Sequence, residues 1–542
     1  MKNENYSFYD VCEAGTIKEL MLTNEEEFEN YTAIKYTKRR KAIDVTYAEL
    51  KEEIDSLGTY LYARDMRNFK IAILGNNSYE WVLSFLTIIT GNNIAVPLDK
   101  NLKAVEIAEI LQEIECSSII YDSVYIDTIT ELKKMNIPLK QVIKFSELRN
   151  FIAEGRLLLE KGTTSYIYDK VNKEAIAAIF YTSGTTGRSK GVILTQENII
   201  SDAISGSRLV FLGEITMPLI PFHQAYSIIA GVIAPMVQRT IILLDPDNKR
   251  IMEDFRIFQP DSIIVVPSII EELNRVLWDR DEEEVRWLKK KIKRTLFLLS
   301  HGVDLRKKLS RYTFDIFGGC LKYIICGGSP LEENYINTFR AFGIEILNGY
   351  GLTECSAVVS VNRNEFNRPG SVGQVIPECN LRISEEGEIL IKGSMVMKGY
   401  YKDEELNKKS FKNGWFKTGD IGYIDRDGFL YIVGRKKNVI VLSSGENISS
   451  KELENKLMNI KVVKEVSVYE ESSKVTAEIF PDYEALTDLK VMDEGKYIRN
   501  EVKKFNKRVM KYKRIGKVII RDKEFPKVSQ SKTSLYKIIK MS

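Results

Sequence analysis

Residues 181–191 read Tyr-Thr-Ser-Gly-Thr-Thr-Gly-Arg-Ser-Lys-Gly. The glycines Gly184, Gly187 and Gly191 let backbone N–H groups approach phosphate oxygens closely. Thr182, Ser183, Thr185 and Thr186 add hydroxyl donors, and Lys190 adds positive charge. Such a run suits a polyphosphate. It is not a Walker A loop, which needs glycine directly before the lysine; Ser189 stands there. A hydroxyl-rich surface turn is the plainer alternative, but this order of residues is uncommon among such turns.

Four further segments carry glycine, hydroxyl and charged groups in company. They are residues 327–331 (Gly-Gly-Ser-Pro-Leu), 348–354 (Asn-Gly-Tyr-Gly-Leu-Thr-Glu), 415–420 (Trp-Phe-Lys-Thr-Gly-Asp) and 427–435, which ends at Arg435. A last one, residues 525–532, runs Phe-Pro-Lys-Val-Ser-Gln-Ser-Lys.

Together and in this order, these motifs resemble the acyl-adenylate-forming superfamily. That family holds acyl-CoA synthetases, the adenylation domains of peptide synthetases and firefly luciferase. The resemblance spans residues 47–537. It implies that Thr182, Ser183, Gly184, Thr185, Thr186, Gly187 and Lys190 hold the β- and γ-phosphates of ATP. It places Gly328, Ser329 and Pro330 at the adenine, with Asn348, Gly349, Tyr350 and Gly351 also at the nucleotide and Tyr350 stacking on the base. Thr353 would contact the α-phosphate and Glu354 would bind Mg²⁺, an ion that prefers carboxylate and phosphate oxygens. Asp420 would take both ribose hydroxyls and Arg435 the ribose and nearby phosphate. Lys437 matches the family's hinge, and Gly445 the glycine of the pantetheine tunnel. Lys532 falls on the catalytic lysine.

The need for that lysine is electrostatic. A carboxylate must attack an already anionic phosphate. Two unit charges 4 Å apart repel by about 1 kcal/mol in water and about 4 kcal/mol at an effective dielectric near 20. A placed ammonium and Mg²⁺ offset this repulsion.

The sequence also departs from the family pattern. Ser531 replaces the usual glycine before the terminal lysine, and Gln196 a usual histidine after Thr195. Residues 221–226 resemble the acyl-pocket motif, but Gln224 holds its aromatic or histidine position and His223 stands one place early. His223 reads as a wall residue more than as a base. Asp55-Ser56-Leu57 imitates a phosphopantetheine attachment site, yet it falls inside an expected helix and reads as structural.

Composition narrows the alternatives. Of 542 residues 44% are hydrophobic and 28% charged, with net charge +4. That is an ordinary globular balance. Residues 436–542 hold 24 Lys/Arg and 15 Asp/Glu, so a basic C-terminal segment follows a mildly acidic body. The basic segment suits the phosphates of coenzyme A or an acidic acyl carrier protein. No nucleic-acid motif accompanies it. Two histidines exclude a multi-histidine metal site, and six cysteines without a CxxC pair are no disulfide framework. No export signal opens the chain and no apolar run reaches transmembrane length, so a cytoplasmic protein with at most peripheral membrane contact is expected.

The elements that must position these motifs are also visible. Residues 46–63 read as a helix, 71–74 as a buried strand, Ser78 as a helix cap before 81–89, and 94–98 as the next strand. That spacing is a βαβ unit of a parallel sheet. Runs 176–181, 262–266, 323–326 and 345–347 repeat the pattern. Residues 381–434 change to short strands with turns at 386–387, 413–414 and 427–428, as in a small antiparallel barrel. A strand pair follows near 466–469 and 475–480.

The expected fold is α/β. A large N-terminal domain, residues 1–435, has two α/β subdomains plus a β-barrel. A small mobile α+β domain, residues 436–542, carries Lys532. The expected activity is ATP-dependent conversion of a carboxylic acid, of the fatty-acid type, to acyl-AMP with release of pyrophosphate, then transfer to the thiol of coenzyme A. Residues 76–81, 96–100 and 512–515 resemble bacterial long-chain fatty acyl-CoA synthetases. Two alternatives stand beside this: a ligase that loads an acyl carrier protein, and an inactive nucleotide-binding homologue.

Overall fold

The computed structural model describes residues 7–38, 41–182, 189–244, 251–307, 309, 317–436, 439–441, 447–471, 474–489, 491–510 and 513–525. The chain divides into two compact units. Among the described residues, the first holds those up to 380 together with 392–416; the second holds 381–391 and 417–525.

The first unit contains two sheets. The seven-stranded one is built on Lys70–Leu74, with Ile94–Pro97 parallel on one side and Ser118–Tyr121 parallel on the other. Gln141–Lys144 lies beyond Ser118–Tyr121, and Ile176–Thr182 beyond Ile94–Pro97. Local chemistry starts its helices. Thr46 and Glu49 form a reciprocal capping box at the head of helix Tyr47–Tyr62. Ser78 caps helix Tyr79–Ile89 by accepting from the Trp81 N–H. These strands are short and almost wholly buried, as parallel strands covered on both faces must be. A cluster of Leu74, Val96, Ile107, Leu111, Ile119 and Leu132 covers one face.

The nine-stranded sheet has a parallel centre: Glu345–Tyr350, Tyr323–Cys326, Ser262–Val265, Ile215–Pro218, Ile241–Leu244 and Thr32–Lys38, in that spatial order. Antiparallel strands close both edges, Lys41–Thr46 at one and Ser360–Val361 then Gln374–Val375 at the other. Tyr166 locks helices of this unit together. Its fully buried ring lies where a side chain at Gly58 or Gly91 would stand, about 2.2–2.3 Å from an added Cβ. Its hydroxyl bonds Thr90 Oγ1 at 2.7 Å and the Thr87 carbonyl at 2.9 Å. Ser56 is fully buried in helix Tyr47–Tyr62, and its carbonyl stands 1.9 Å from where a Cβ on Gly155 would be. It is a packing residue, not an attachment site.

The second unit contains most of the strands Glu388–Lys392 and Trp415–Ile424 and all of Leu430–Arg435, the last two forming an antiparallel hairpin through Asp427-Gly428. Gly428 takes φ +83°, which favours glycine. Further on, Val463–Glu471 and Lys474–Pro481 pair antiparallel, and Lys517–Ile520 joins Lys474–Pro481 in parallel. Helices Ser450–Met458 and Glu494–Asn506 pack on this sheet through Leu453, Leu457, Ile498, Val502 and Phe505.

Candidate active site

The polyphosphate loop is carried by a hairpin. Strand Ile176–Thr182 pairs antiparallel with Lys190–Thr195, and Thr182 stands opposite Lys190. The loop therefore leaves and re-enters the sheet at one place. Ser183, Gly184, Thr185, Thr186 and Gly187 lie outside the described residues; Thr182 and Lys190 are half-buried at the loop's two ends.

The outer edge of this hairpin pairs with a two-residue strand, Gly399–Tyr400, in the register Tyr400 opposite Val192. Lys190 Nζ sits 5.5 Å from the Tyr400 ring centre. The Tyr400 hydroxyl donates to Glu354 Oε1 at 2.8 Å. Burial, and then the neighbouring Glu354 carboxylate, raise the Tyr400 pKa, so the phenol keeps its proton. Lys190, Tyr400 and Glu354 thus form one connected group, although Tyr400 is 46 positions from Glu354 in sequence.

Glu354 is held there by its own turn. Strand Glu345–Tyr350 ends at Gly351, and residues Thr353–Cys355 form a short 3-10 turn. A Cβ on Gly351 would stand 1.6 Å from the Ala357 carbonyl oxygen, so no other residue fits that backbone path. The Glu354 carbonyl accepts from Met397 N at 2.9 Å, and Ser356 Oγ donates to the Met395 carbonyl at 2.8 Å. Ser356 itself takes φ +64°. Tyr350, Thr353 and Glu354 are half-buried, so they are partly open to solvent. Asn348 is buried and turned inward; its Nδ2 donates to the Ser371 carbonyl at 3.3 Å.

Gly327 follows the strand beside it. Cys326 is in register with Asn348, and an added Cβ on Gly327 would lie 3.6 Å from the Gly349 carbonyl and 3.4 Å from the Tyr226 ring. Gly328, Ser329 and Pro330 are exposed, with Gly328 at φ +88°. Two glycine-rich segments thus leave the carboxyl ends of adjacent parallel strands. Open α/β sheets bind ligands at such ends.

One helix fastens these pieces. Gln196–Leu209 begins at Thr195, directly after the loop hairpin. Its Asn198 accepts from Thr195 N at 2.9 Å and donates to the Ser394 and Val396 carbonyls at 2.6 and 3.0 Å. One turn on, buried Asp202 accepts from Val358 N at 3.2 Å. Asn198 and Asp202 therefore grip the two segments that flank Glu354. Neither was singled out from sequence, because both grips reach carbonyl or N–H groups more than 150 residues away. Asn198→Ala will leave two carbonyls unpaired and lower stability by about 3 kcal/mol, measured by urea unfolding. Gln196 has a similar bracing role. It is buried, donates to the Ile89 carbonyl at 2.7 Å and accepts from Ile17 N at 3.2 Å.

The segment 221–226 is pinned to the other subdomain by Asn77, which donates to the Ile220 carbonyl at 2.8 Å and accepts from Phe222 N at 2.9 Å. Phe222 packs on Trp81, with ring centres 5.3 Å apart. His223 is mostly covered and lies 3.6 Å from Asp99. Gln224 is exposed at the start of helix Ala225–Ile228. Burial lowers the His223 pKa from 6.5, Asp99 opposes this and Lys100 adds to it. A histidine with a depressed folded pKa costs stability as pH falls below its unfolded value. His223→Gln will therefore lose less melting temperature than the parent between about pH 7 and pH 5.5, read by calorimetry.

In the second unit, Asp420 and Arg435 are cross-strand partners. Arg435 Nε meets Asp420 Oδ1 at 2.9 Å, and Arg435 NH1 donates to the Thr418 carbonyl at 3.1 Å. The Asp420 side chain is 5% exposed and that of Arg435 48%. Beside them Lys436 pairs with Glu386 and Glu388. Lys437, Gly445 and Lys532 lie outside the described residues.

Loop hairpin and carboxylate turn meet through Tyr400. The chain belongs to the AMP-binding enzyme family, which matches residues 23–401. Among its relatives, the long-chain-fatty-acid–CoA ligase FadD15 of Mycobacterium bovis is 27% identical over 441 residues, covering 76% of this chain and 73% of that one. Long-chain-fatty-acid–CoA ligase 5 of Rattus norvegicus is 28% identical over 540 residues, covering 90% and 78%. The o-succinylbenzoate CoA synthetase of Bacillus subtilis, solved with its acyl-adenylate intermediate, superposes with TM-score 0.70 at 23% identity, over 93% of this chain and 94% of that one. It shares the fold.

Proposed function

We propose that this enzyme converts a long-chain fatty acid to its acyl-adenylate with ATP and then transfers the acyl group to the thiol of coenzyme A. The observation that carries the reading is the Lys190–Tyr400–Glu354 group at the mouth of the loop hairpin. A cation and a carboxylate fixed at one loop end are what a MgATP triphosphate needs. The relatives named for long-chain fatty acids support the substrate class.

The residues divide the work as follows. Thr182 to Gly187 and Lys190 receive the β- and γ-phosphates. Glu354 fits a magnesium ion: it is half-buried, its Oε1 is engaged by Tyr400, and Mg²⁺ commonly takes only one or two carboxylates beside phosphate oxygens. When bound, that ion neutralises phosphate charge. Among the described residues no cluster of three or more acids, histidines or cysteines exists to hold a metal by protein alone. Gly328 to Pro330 and Tyr350 form the adenine side, and Thr353 the α-phosphate contact. Asp420 takes the ribose and Arg435 orients it.

In the first step the acid's carboxylate oxygen attacks the α-phosphorus and pyrophosphate leaves. Lys532 stabilises the charge that develops. In the second step the C-terminal domain, residues 436–542, turns about Lys437 and the pantetheine enters past Gly445. The thiolate then attacks the acyl carbon and AMP leaves. His223 and Gln224 stand at the acyl pocket. None of the six cysteines is in a disulfide, which suits the cytoplasm. Among the described residues no helix is long and apolar enough to cross a membrane. An acyl carrier protein is the second acceptor to consider, given the basic C-terminal segment.

ATP–pyrophosphate exchange across a series of acids, followed by thioester assays with coenzyme A and carrier protein in competition, tests this. Exchange that rises with chain length and thioester on coenzyme A is expected. Exchange driven only by amino acids, or none with any acid, overturns it.

A further inference from the structure

Helix Glu282–Ser300 is the longest single helix with a charged outer face among the described residues. Its N-terminus is acidic, and Asp281 caps it by accepting from Glu284 N. From Arg286 onward it contains no acid, and Arg286, Lys289, Lys290, Lys291, Lys293 and Arg294 follow. Leu288, Ile292 and Thr295 face the core. The opposite face is therefore set by helical spacing: Lys290, Lys293, Arg294 and Phe297 are three or four apart and adjacent on the surface.

Phe297 is the unusual member. It is 63% exposed, at the C-terminal end of the cationic face. Trp287 is 39% exposed on the flank, with Lys291 Nζ 5.2 Å from its ring, and Val303 is 47% exposed just past the helix end. Lys290, Lys293 and Arg294 make no ion pair with the described residues. Exposed aromatic groups beside cations that have no ion pair among the described residues match the chemistry of an anionic lipid surface. The cations meet headgroups, their long stems lie along the acyl boundary, and the rings insert. A nucleic-acid surface fits less well, because the face carries no amide side chain and the Ser300 hydroxyl at its end is turned back onto the Phe297 carbonyl.

We propose that this face of helix Glu282–Ser300 docks the protein on an anionic bilayer. The docking does not depend on the ligase reading, since it can be measured without ATP, acid or coenzyme A.

Sedimentation of the full chain with vesicles of equal phosphatidylglycerol and phosphatidylcholine tests it, with pure phosphatidylcholine vesicles in parallel. Binding to the anionic vesicles only, weakened by added salt, is expected. Reversing Lys290→Glu, Lys293→Glu and Arg294→Glu together will cut the bound fraction at least tenfold. Lys503→Glu with Lys507→Glu, on the basic helix Glu494–Asn506 and just beyond its end, will leave it unchanged. Trp287 emission will shift to the blue on binding, and Trp287→Phe will remove that shift. Equal binding by the triple variant, equal binding to both vesicle types, or binding to single-stranded RNA with none to vesicles overturns the proposal. All three reversed positions are exposed, so the variant's melting temperature will match the parent's.

Discussion

Glu354→Gln will lower the maximal rate of ATP–pyrophosphate exchange by about 10²–10³-fold, the usual loss when one preorganised electrostatic contact to a reacting group is removed. The substitution is chosen to separate charge from structure. Glutamine has the same length, and its amide oxygen can accept the Tyr400 hydroxyl that Glu354 Oε1 accepts now. The turn also stands on bonds that no side chain at 354 makes: Met397 N to the Glu354 carbonyl, Ser356 Oγ to the Met395 carbonyl and Val359 N to the Tyr350 carbonyl. The melting temperature will therefore stay within a degree or two while the rate falls. Tyr400→Phe, which keeps the ring near Lys190 and removes only the hydroxyl, will cost less. A rate for Glu354→Gln within tenfold of the parent, with an unchanged melting temperature, would place the triphosphate elsewhere.

Lys532→Ala will abolish exchange yet leave thioester formation from supplied acyl-adenylate near the parent rate. The reason is the charge of the two steps. Only adenylation brings a carboxylate onto an anionic phosphate, where an ammonium offsets repulsion and stabilises the developing charge. Thiolate attack on the acyl carbon expels AMP and needs no second cation at that place. Both steps are assayed on the same preparation, so a fold defect would lower them equally. Equal loss is the outcome that removes Lys532 from its proposed role.

Much of the architecture follows from local chemistry. The capping box at Thr46 and the cap at Ser78 mark two helices because a hydroxyl and the next three residues are enough to satisfy the orphan N–H groups. The turn glycines at 387, 414 and 428 all take positive φ, as their partners in sequence suggested. The motif residues at 327–330 and 348–354 do lie side by side, since they end neighbouring strands.

What stayed hidden is tertiary. Tyr400 sits in a strand of two residues, too short to carry a period, and only its pairing with Lys190–Thr195 brings it to Glu354. Gln196 read as a departure from the family pattern, yet it braces Ile17 and Ile89. The apolar run 227–237 gave no sign of its interruption. It contains a π-helix at Ile229–Ile233, where a Cβ on Gly231 would come within 2.7 Å of Pro218. A wide turn of that kind depends on the neighbour packed against it.

Isotope transfer tests the adenylation chemistry most directly. The acid is labelled with ¹⁸O in its carboxylate and turned over with ATP and coenzyme A, and the products are read by mass spectrometry. One ¹⁸O in AMP, with none in pyrophosphate, is the expected result, because the carboxylate oxygen that bonds to the α-phosphorus leaves with AMP. Label recovered in inorganic phosphate, with ADP as the nucleotide product, would mean attack on the γ-phosphorus and would contradict it.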